Sequence, residues 1–454
     1  MAEFKLTREF VDHIKQKIEI KDEIRILEDI QDLHPADIAD LYRELDLEEA
    51  KYLYLIADDE TAADVITELD EDERRRLLSA LPSEVIAKRY IDKMESDDAA
   101  DVLGEMEEDR QQEVLSHMED VKSAGDIADL LNYDEDTAGG LMGKELIKVK
   151  ESWNVTICLR SMRRQGEELD EVYYVYVVDN DGILKGTLSL KRLLLSPTTR
   201  TVKDIYNENV IAVNANVPAE EVSAIMERYD LVALPVVDSI GRLLGRITID
   251  DVVDVIREEA EKDYQLASGI TDDVESSDNV WSHTKARMPW LFIGLMGGIL
   301  SSMVVSQYEG LIGLNPQISF FMGLIAAMGG NTGMQSSAII VQSLASGNSG
   351  LDSTSGKLLK ELAVGVVNAA VLSSVIFGYN LIKGSDQALT YTVSIAMFSV
   401  ILIASLFGTF IPLALKRINI DPAVATGPFV TTLNDILGML IYFTIGTFCY
   451  SIFL

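Results

Sequence analysis

The sequence predicts a multidomain chain: an all-α superhelix of helical repeats, then a duplicated α/β pair, then an α-helical membrane domain with five spans. Three observations carry this reading. The net charge of −35 is unevenly divided, with 68 acids and 32 bases in residues 1–284 against six acids and seven bases in residues 285–454. Apolar segments, each near or above the ~20 residues that cross a bilayer, fill the second stretch. A strand–turn–strand–helix order occurs twice, about 65 residues apart, which marks an internal duplication.

Residues 1–30 alternate charge with Phe4, Phe10, Ile14, Ile18 and Ile24, a helical pattern. A loose repeat follows. Asp37-Ile38-Ala39-Asp40-Leu41 is echoed at 62–66, 99–103 and 126–130, and helix-start signals (Pro35, Asp70, Pro82-Ser83, Ser96-Asp97) fall between the copies. Short helices that share apolar faces with their neighbours form a superhelix, an architecture for binding or scaffolding.

Composition changes at Tyr133-Asp134-Glu135-Asp136-Thr137-Ala138-Gly139-Gly140-Leu141-Met142, read as a glycine-containing linker. Val172–Val178, a turn at Asp179-Asn180-Asp181-Gly182, Ile183–Leu188 and a short helix over Ser189–Leu195 make the first copy. A helix over Ala219–Tyr229, strands Ala233–Val237 and Leu243–Thr248, and a helix from Asp250 make the second. The segments YVYVVDNDGILKGTLSLKRLL and LVALPVVDSIGRLLGRITIDDVV resemble a tandem pair of cystathionine-β-synthase (CBS) domains, which are regulatory modules, some of which bind adenine nucleotides.

In the helix from Asp250, Asp251, Asp254, Glu258 and Glu261 step by three, four and three, so they share one face, with Glu259 and Asp263 beside it. Like charges at these spacings weaken a helix unless something neutralises them. A solvated acidic face is the plain alternative. Against it stands position: the helix leads through Tyr264–Trp281 to the membrane entry at Lys285-Ala286-Arg287-Met288-Pro289-Trp290. A cation-sensitive helix beside a pore would act as a gate.

The spans are expected at Pro289–Tyr308, Ile318–Leu344, Leu358–Ile382, Tyr391–Leu415 and Phe429–Phe453. Lys285, Arg287, Lys357, Lys360, Lys416 and Arg417 then flank the inner side and Lys383 alone the outer side, which orients the N-terminus to the cytoplasm and the C-terminus outside. Within the last span Asp435 is the single formally charged side chain, about 9 Å inside a helix that starts at Phe429. A carboxylate at that depth is costly unless it faces protein, water or a cation, and Asp is too short to reach the headgroups. Thr431, Thr432 and Gly438 lie on its side of the helix. In the second span, Gly329, Gly330 and Gly333 permit close backbone approach, and Asn331 and Gln335 share a face at i, i+4. That stretch reads either as a polar clamp between helices or as a lining for water beside Asp435.

Several classes are excluded. The acidic surface repels nucleic acid and concentrates cations. Cys158 and Cys449 lie in different parts of the chain and, like the four scattered histidines, lack metal-ligand spacing. No nucleophile–base constellation supports an enzyme. The first residues lack the apolar core of a cleaved secretion signal.

The order of parts, with GGNTGMQSS (329–337), DPAVATGPFVTTLNDILG (421–438) and YDEDTAGGLM (133–142), resembles the MgtE family of magnesium channels. The resemblance implies a homodimer in the cell membrane, with two chains building one central pore and a pore aspartate at Asp435. A pore site of Asp435, Thr431, Thr432, Asn331, Gly329 and Gly330 follows on that reading. It also implies magnesium-sensing acids at Asp230, Asp251, Asp254, Glu258, Glu259 and Asp263, with Asp97, Asp98 and Asp101 of the repeat as partners. Mg²⁺ is the implied cargo and regulator, and ATP at the CBS domains follows by analogy, with no residue marking its site. The chain then divides into an N-terminal extension (1–25), an acidic helical-repeat domain (26–136), two CBS domains (137–200 and 201–262), a connecting helix (263–286) and a five-span pore domain (287–454). Two alternatives stay open: transport of another divalent cation such as Co²⁺ or Mn²⁺, and a membrane-anchored cation sensor that does not conduct.

Overall fold

The computed structural model describes residues 5–453 except 168, 170, 272–273, 275–278, 346–353, 419 and 426. Phe4 and Thr426, quoted above, lie outside the described residues. The chain divides into two compact units, Met1–Ile256 and Arg257–Leu454.

The first unit opens with short helices. Arg8–Glu19 and Glu23–Ile30 part at Lys21, whose φ is +53°. The repeated pentads lie in helices Pro35–Arg43, Asp59–Thr67, α1 (Ser96–Gly104) and Val121–Leu130. In each copy the residue after the repeated aspartate turns inward: Leu41, Val65, Val102 and Leu130 are at most 2% exposed, so the loose sequence repeat is a structural one. Arginines stitch neighbouring repeats together by satisfying helix-end carbonyls, which have no partner within their own helix. Arg89 donates to Leu55 O (3.0 Å) and Ala57 O (2.8 Å), and Arg110 to Leu78 O (2.7 Å) and Leu81 O (2.9 Å).

The duplicated part forms two small sheets. In the first, β1 (Ile147–Lys150) runs parallel to β2 (Val175–Val178), which pairs antiparallel with β3 (Leu184–Leu188). In the second, β4 (Val213–Asn214), β5 (Ala233–Val237) and β6 (Leu243–Thr248) repeat that order and sense. The leading strands β1 and β4 escape the sequence reading, since neither is joined to its neighbour by a hairpin turn. The hairpin tips meet each other: Leu184 N donates to Gly241 O and Leu243 N to Gly182 O, and both glycines hold the positive φ that these turns demand.

The glycine-containing stretch 133–142 is not a free linker. Ala138 N donates to Val217 O (2.7 Å) and Gly139 N to Ala215 O (2.8 Å), while Gly143 and Arg246 exchange both backbone bonds. The stretch therefore belongs to the second sheet's surroundings.

Helix α2 (Ile249–Ala267) carries the acidic stripe. It ends at Ala267 and the chain turns through Gly269 (φ +79°) before α3 (Val280–Ser306), which Asn279 caps. The connecting helix expected over 263–286 begins in the last turns of α2 and ends in the first turns of α3, and residues 272–273 and 275–278 between them lie outside the described residues. The second unit continues with α4 (Met322–Ala345), α5 (Thr354–Lys383), α6 (Gln387–Arg417) and α7 (Pro428–Phe453). Among the described residues four helices are long and apolar enough to cross a membrane: α3, α5, α6 and α7. The helix α4 has the length, but Asn331, Gln335 and its run of small residues lower its hydropathy. Tyr442 ties α7 to the chain ahead of α4 by donating to Ile318 O at 2.8 Å.

Candidate functional site

Two carboxylate centres stand out, one in each unit. In the second unit Pro428 opens α7, where its missing N–H is tolerated. Asp435 is the eighth residue, about 10 Å along the helix. It lines a cavity of about 410 Å³ together with Thr432 and Met439 of α7, and Gly294, Gly297, Gly298, Ser301 and Ser302 of α3. Asp435 is the one carboxylate among these residues.

The cavity is shaped by very close helix approach. A Cβ added at Gly297 would sit 1.9 Å from Thr432 Cγ2, so α3 and α7 meet there. One added at Gly330 would lie 3.6 Å from Asp435 Oδ1, which puts the α4 backbone directly behind the carboxylate. At Gly333 it would lie 1.9 Å from Asn434 Nδ2, and at Gly408 of α6 it would lie 2.3 Å from Gly333 O. The glycines of 329–333 therefore let α6 and α7 close on α4, as the small residues at helix–helix interfaces in membranes do.

Thr431 donates its hydroxyl to Gly427 O (3.2 Å) and Pro428 O (3.1 Å), so it secures the first turn of α7. Thr432 turns its methyl to α3. Asn331 and Gln335 are exposed on α4, and among the described residues no hydrogen bond joins either to Asp435. Two neighbours went unremarked in the sequence. Asn434 is 2% exposed and fills the notch at Gly333, its Nδ2 having no hydrogen-bond partner among the described residues. Glu361 of α5 accepts from Ser336 and Ser405, each at 2.6 Å. Glu361 is the eighth residue of α5, but the turns before it carry Lys357 and Lys360, so along the chain it reads as a helix-end acid.

The end of α2 reaches the start of α7 within this unit. A Cβ on Gly427 would lie 2.4 Å from Ala267 O, and one on Gly269 would lie 2.7 Å from Pro428 Cγ.

In the first unit the acids gather at α1. Glu95, Asp97 and Glu145 bring carboxylate oxygens within 4.8 Å of one another. Glu145 receives Ser96 N (3.1 Å) and Ser96 Oγ (2.8 Å), a cap for α1 from 49 residues away that sequence spacing did not reveal. Glu95 pairs with the buried Arg246 at 3.2 Å. Asp251 accepts from Thr248 N (3.0 Å) and Oγ1 (2.6 Å).

Burial, then the negative charge of Asp251, holds the Asp97 carboxyl well above the usual carboxylate range. The same causes push Asp98 up to about 7. Burial also raises Asp251 and Glu95. Asp101 shifts upward too, but its side chain is open to solvent and screened, so Asp97 and Asp98 carry the argument. A group of hard oxygens with unmet negative charge suits Mg²⁺ and offers no soft donor. The structure thus brings together Asp97, Asp98, Asp101 and Asp251. Asp230 sits apart as the exposed left-handed cap of helix Ala219–Tyr229, and Asp254 and Glu258 lie on the exposed face of α2. Glu259 is half-buried and pairs with Lys262 at 3.5 Å, and Asp263 lies one turn further along the helix.

An acidic soluble body and an apolar helical body with a carboxylate-lined cavity define a multi-pass membrane protein equipped to handle cations. Residues 322–445 match the family described as divalent cation transporter, residues 33–136 the MgtE intracellular N domain, and residues 138–196 and 202–258 the CBS domain. The chain belongs to the MgtE family. It is 33% identical to the magnesium transporter MgtE of Bacillus subtilis over 92% of each chain, and 36% identical to that of Enterococcus faecalis over 72% of each. A crystal structure of the cytosolic domain of the Mg²⁺ channel MgtE in complex with ATP superposes with a TM-score of 0.51 at 33% identity, covering 54% of this chain and 99% of that one.

Proposed function

We propose that the chain imports Mg²⁺ into the cytoplasm through a pore whose ion site is Asp435. The observation that carries this is the cavity in which Asp435 is the single carboxylate, backed by the α4 glycines and faced by small residues of α3. The relatives named as magnesium transporters identify the cargo. The helices α3 to α7 act as five spans, with the N-terminus in the cytoplasm and the C-terminus outside.

Two chains form the working unit, so that two Asp435 carboxylates balance one divalent ion at the axis. Thr431, Thr432, Asn331, Gly329 and Gly330 complete the surroundings. Mg²⁺ demands octahedral oxygen ligation and sheds water reluctantly, so hydroxyls and backbone carbonyls serve its waters of hydration while the carboxylates supply charge. The divisions at 26, 137, 201, 263 and 287 mark the parts of this machine.

Closure is the task of the soluble acids. Mg²⁺ held among Asp97, Asp98, Asp101, Asp230, Asp251, Asp254, Glu258, Glu259 and Asp263 neutralises like charges and favours the closed state, as linkage requires of any ligand that binds one state more tightly. The end of α2 at Gly427 and Pro428 passes that change to α7. ATP binding at the CBS pair is proposed on the strength of the solved relative alone.

Flux into liposomes tests the pore. The Asp435→Ala variant is expected to lose at least about 100-fold in Mg²⁺ flux, roughly the 2.7 kcal/mol of a lost charge contact, while eluting as the same folded dimer. Normal uptake by that variant sinks the assignment, and competition with Co²⁺ and Mn²⁺ in the same assay ranks the cargo.

A further inference from the structure

Glu361 is the eighth residue of α5, as Asp435 is of α7. Its Oε1 accepts the hydroxyls of Ser336 on α4 and Ser405 on α6, each at 2.6 Å, and the two serine oxygens lie 3.3 Å apart. Both serines are buried, at 4% and 1% exposure. One carboxylate oxygen therefore ties three helices with two short, charge-assisted bonds. One turn further along α5, a Cβ added at Gly365 would lie 3.1 Å from Ser405 Oγ, so α5 and α6 close tightly there.

The clasp has an address on α4. Ser336 follows Gly333, which receives Asn434, by three residues, and Gly330, which backs Asp435, by six. A serine in an apolar helix does not need a carboxylate; its hydroxyl can return to the preceding turn, as Thr332 does to Met328 O at 2.7 Å. Glu361 directly follows Lys360 near the start of α5, yet its carboxylate turns onto two buried hydroxyls, an arrangement whose desolvation cost apolar packing would avoid.

We propose that Glu361 is a positioning residue for the ion path, its carboxylate fixing the rotation and depth of α4 against α6 so that Gly330 abuts Asp435. This rests on the reading of Asp435 as the pore site. Ion specificity then depends on a residue that never touches the ion.

The experiment measures Mg²⁺ and Co²⁺ flux separately in proteoliposomes of the full chain, using material that elutes as the folded species. Glu361→Ala and the double variant Ser336→Ala/Ser405→Ala remove the clasp, while Glu361→Gln keeps an oxygen acceptor for both hydroxyls. The first two are expected to cut maximal Mg²⁺ flux about tenfold or more, as loss of a charged hydrogen-bond pair does. They are also expected to shift the Mg²⁺/Co²⁺ ratio at least threefold, roughly 0.7 kcal/mol of discrimination, with Glu361→Gln close to the unsubstituted chain. A purely structural role lowers both fluxes in proportion and leaves the ratio alone. An unchanged ratio overturns the proposal. So does a Glu361→Gln variant as impaired as Glu361→Ala beside a normal double-serine variant, since that assigns the effect to charge. If Glu361→Ala fails to fold, the double-serine variant decides. Absence of Mg²⁺ flux in the unsubstituted chain instead removes the proposed function itself.

Discussion

Asp98 is half-buried beside Asp97 and Asp251, and its carboxyl is pushed up to about 7 by burial first and by Asp251 second. A carboxyl that binds its proton more tightly in the folded state than in the unfolded one stabilises the fold most at low pH. That contribution declines as pH rises from the ordinary carboxylate value near 4 to about 7. In chelator the amides of α1 are therefore expected to lose at least about tenfold in hydrogen-exchange protection between pH 5 and pH 8, after correction for intrinsic rates. Millimolar Mg²⁺ at pH 8 should restore it. Equal protection at both pH values in chelator refutes the account of these acids. Residue by residue, the sequence showed what was anomalous along the chain and hid what was anomalous only in space. Asp435 stood out because no other charge shares its helix. Glu145 did not, since its partner Ser96 is 49 residues away and nothing in its own neighbourhood marks it. Glu361 was masked by Lys357 and Lys360, which made it look like a helix-end acid.

At the scale of elements, α4 owes its function to what it lacks. Polar Asn331 and Gln335 point outward, and the glycines let α6 and α7 approach. Gly333→Ala puts a methyl 1.9 Å from Asn434 Nδ2 and 2.9 Å from Val430 Cγ1. Overpacking of this kind costs about 1–3 kcal/mol. Gly323→Ala on the same helix meets nothing within 4 Å. Thermal unfolding in detergent and Mg²⁺ flux are both expected to fall for Gly333→Ala and to hold for Gly323→Ala; two neutral variants contradict the packing argument. Periodicity found the long helices and β5 and β6 because their patterns extend over many residues. β2, β3, β5 and β6 were legible because a hairpin turn joins each pair, whereas β1 and β4 adjoin no such turn and owe their existence to parallel pairing with β2 and β5. The stretch 133–142 looked like a linker because its glycines suggest freedom, whereas here they permit backbone contact: a Cβ at Gly140 would lie 2.6 Å from Asp134 O.

For the whole molecule, α2 is the element whose two ends have different jobs. Its first turns bury Val252 and Val255 in the first unit and carry Asp251, and within the second unit its last residue lies against Gly427 just ahead of α7. On the proposed function, a bound divalent ion offsets the like charges of Asp97, Asp98 and Asp251, and that offset is lost when internal Mg²⁺ falls. If this is the switch, substituting Asp251→Asn, Asp254→Asn and Glu259→Gln together should leave Mg²⁺ flux intact at low internal Mg²⁺. Closure should then need at least about tenfold more internal Mg²⁺, a coupling loss of ~1.4 kcal/mol. Flux into liposomes preloaded with graded Mg²⁺ measures both quantities in one series. A variant that closes at the same internal Mg²⁺ as the unsubstituted chain removes these three acids from the gate. One that fails to conduct at any internal Mg²⁺ places them in the path instead.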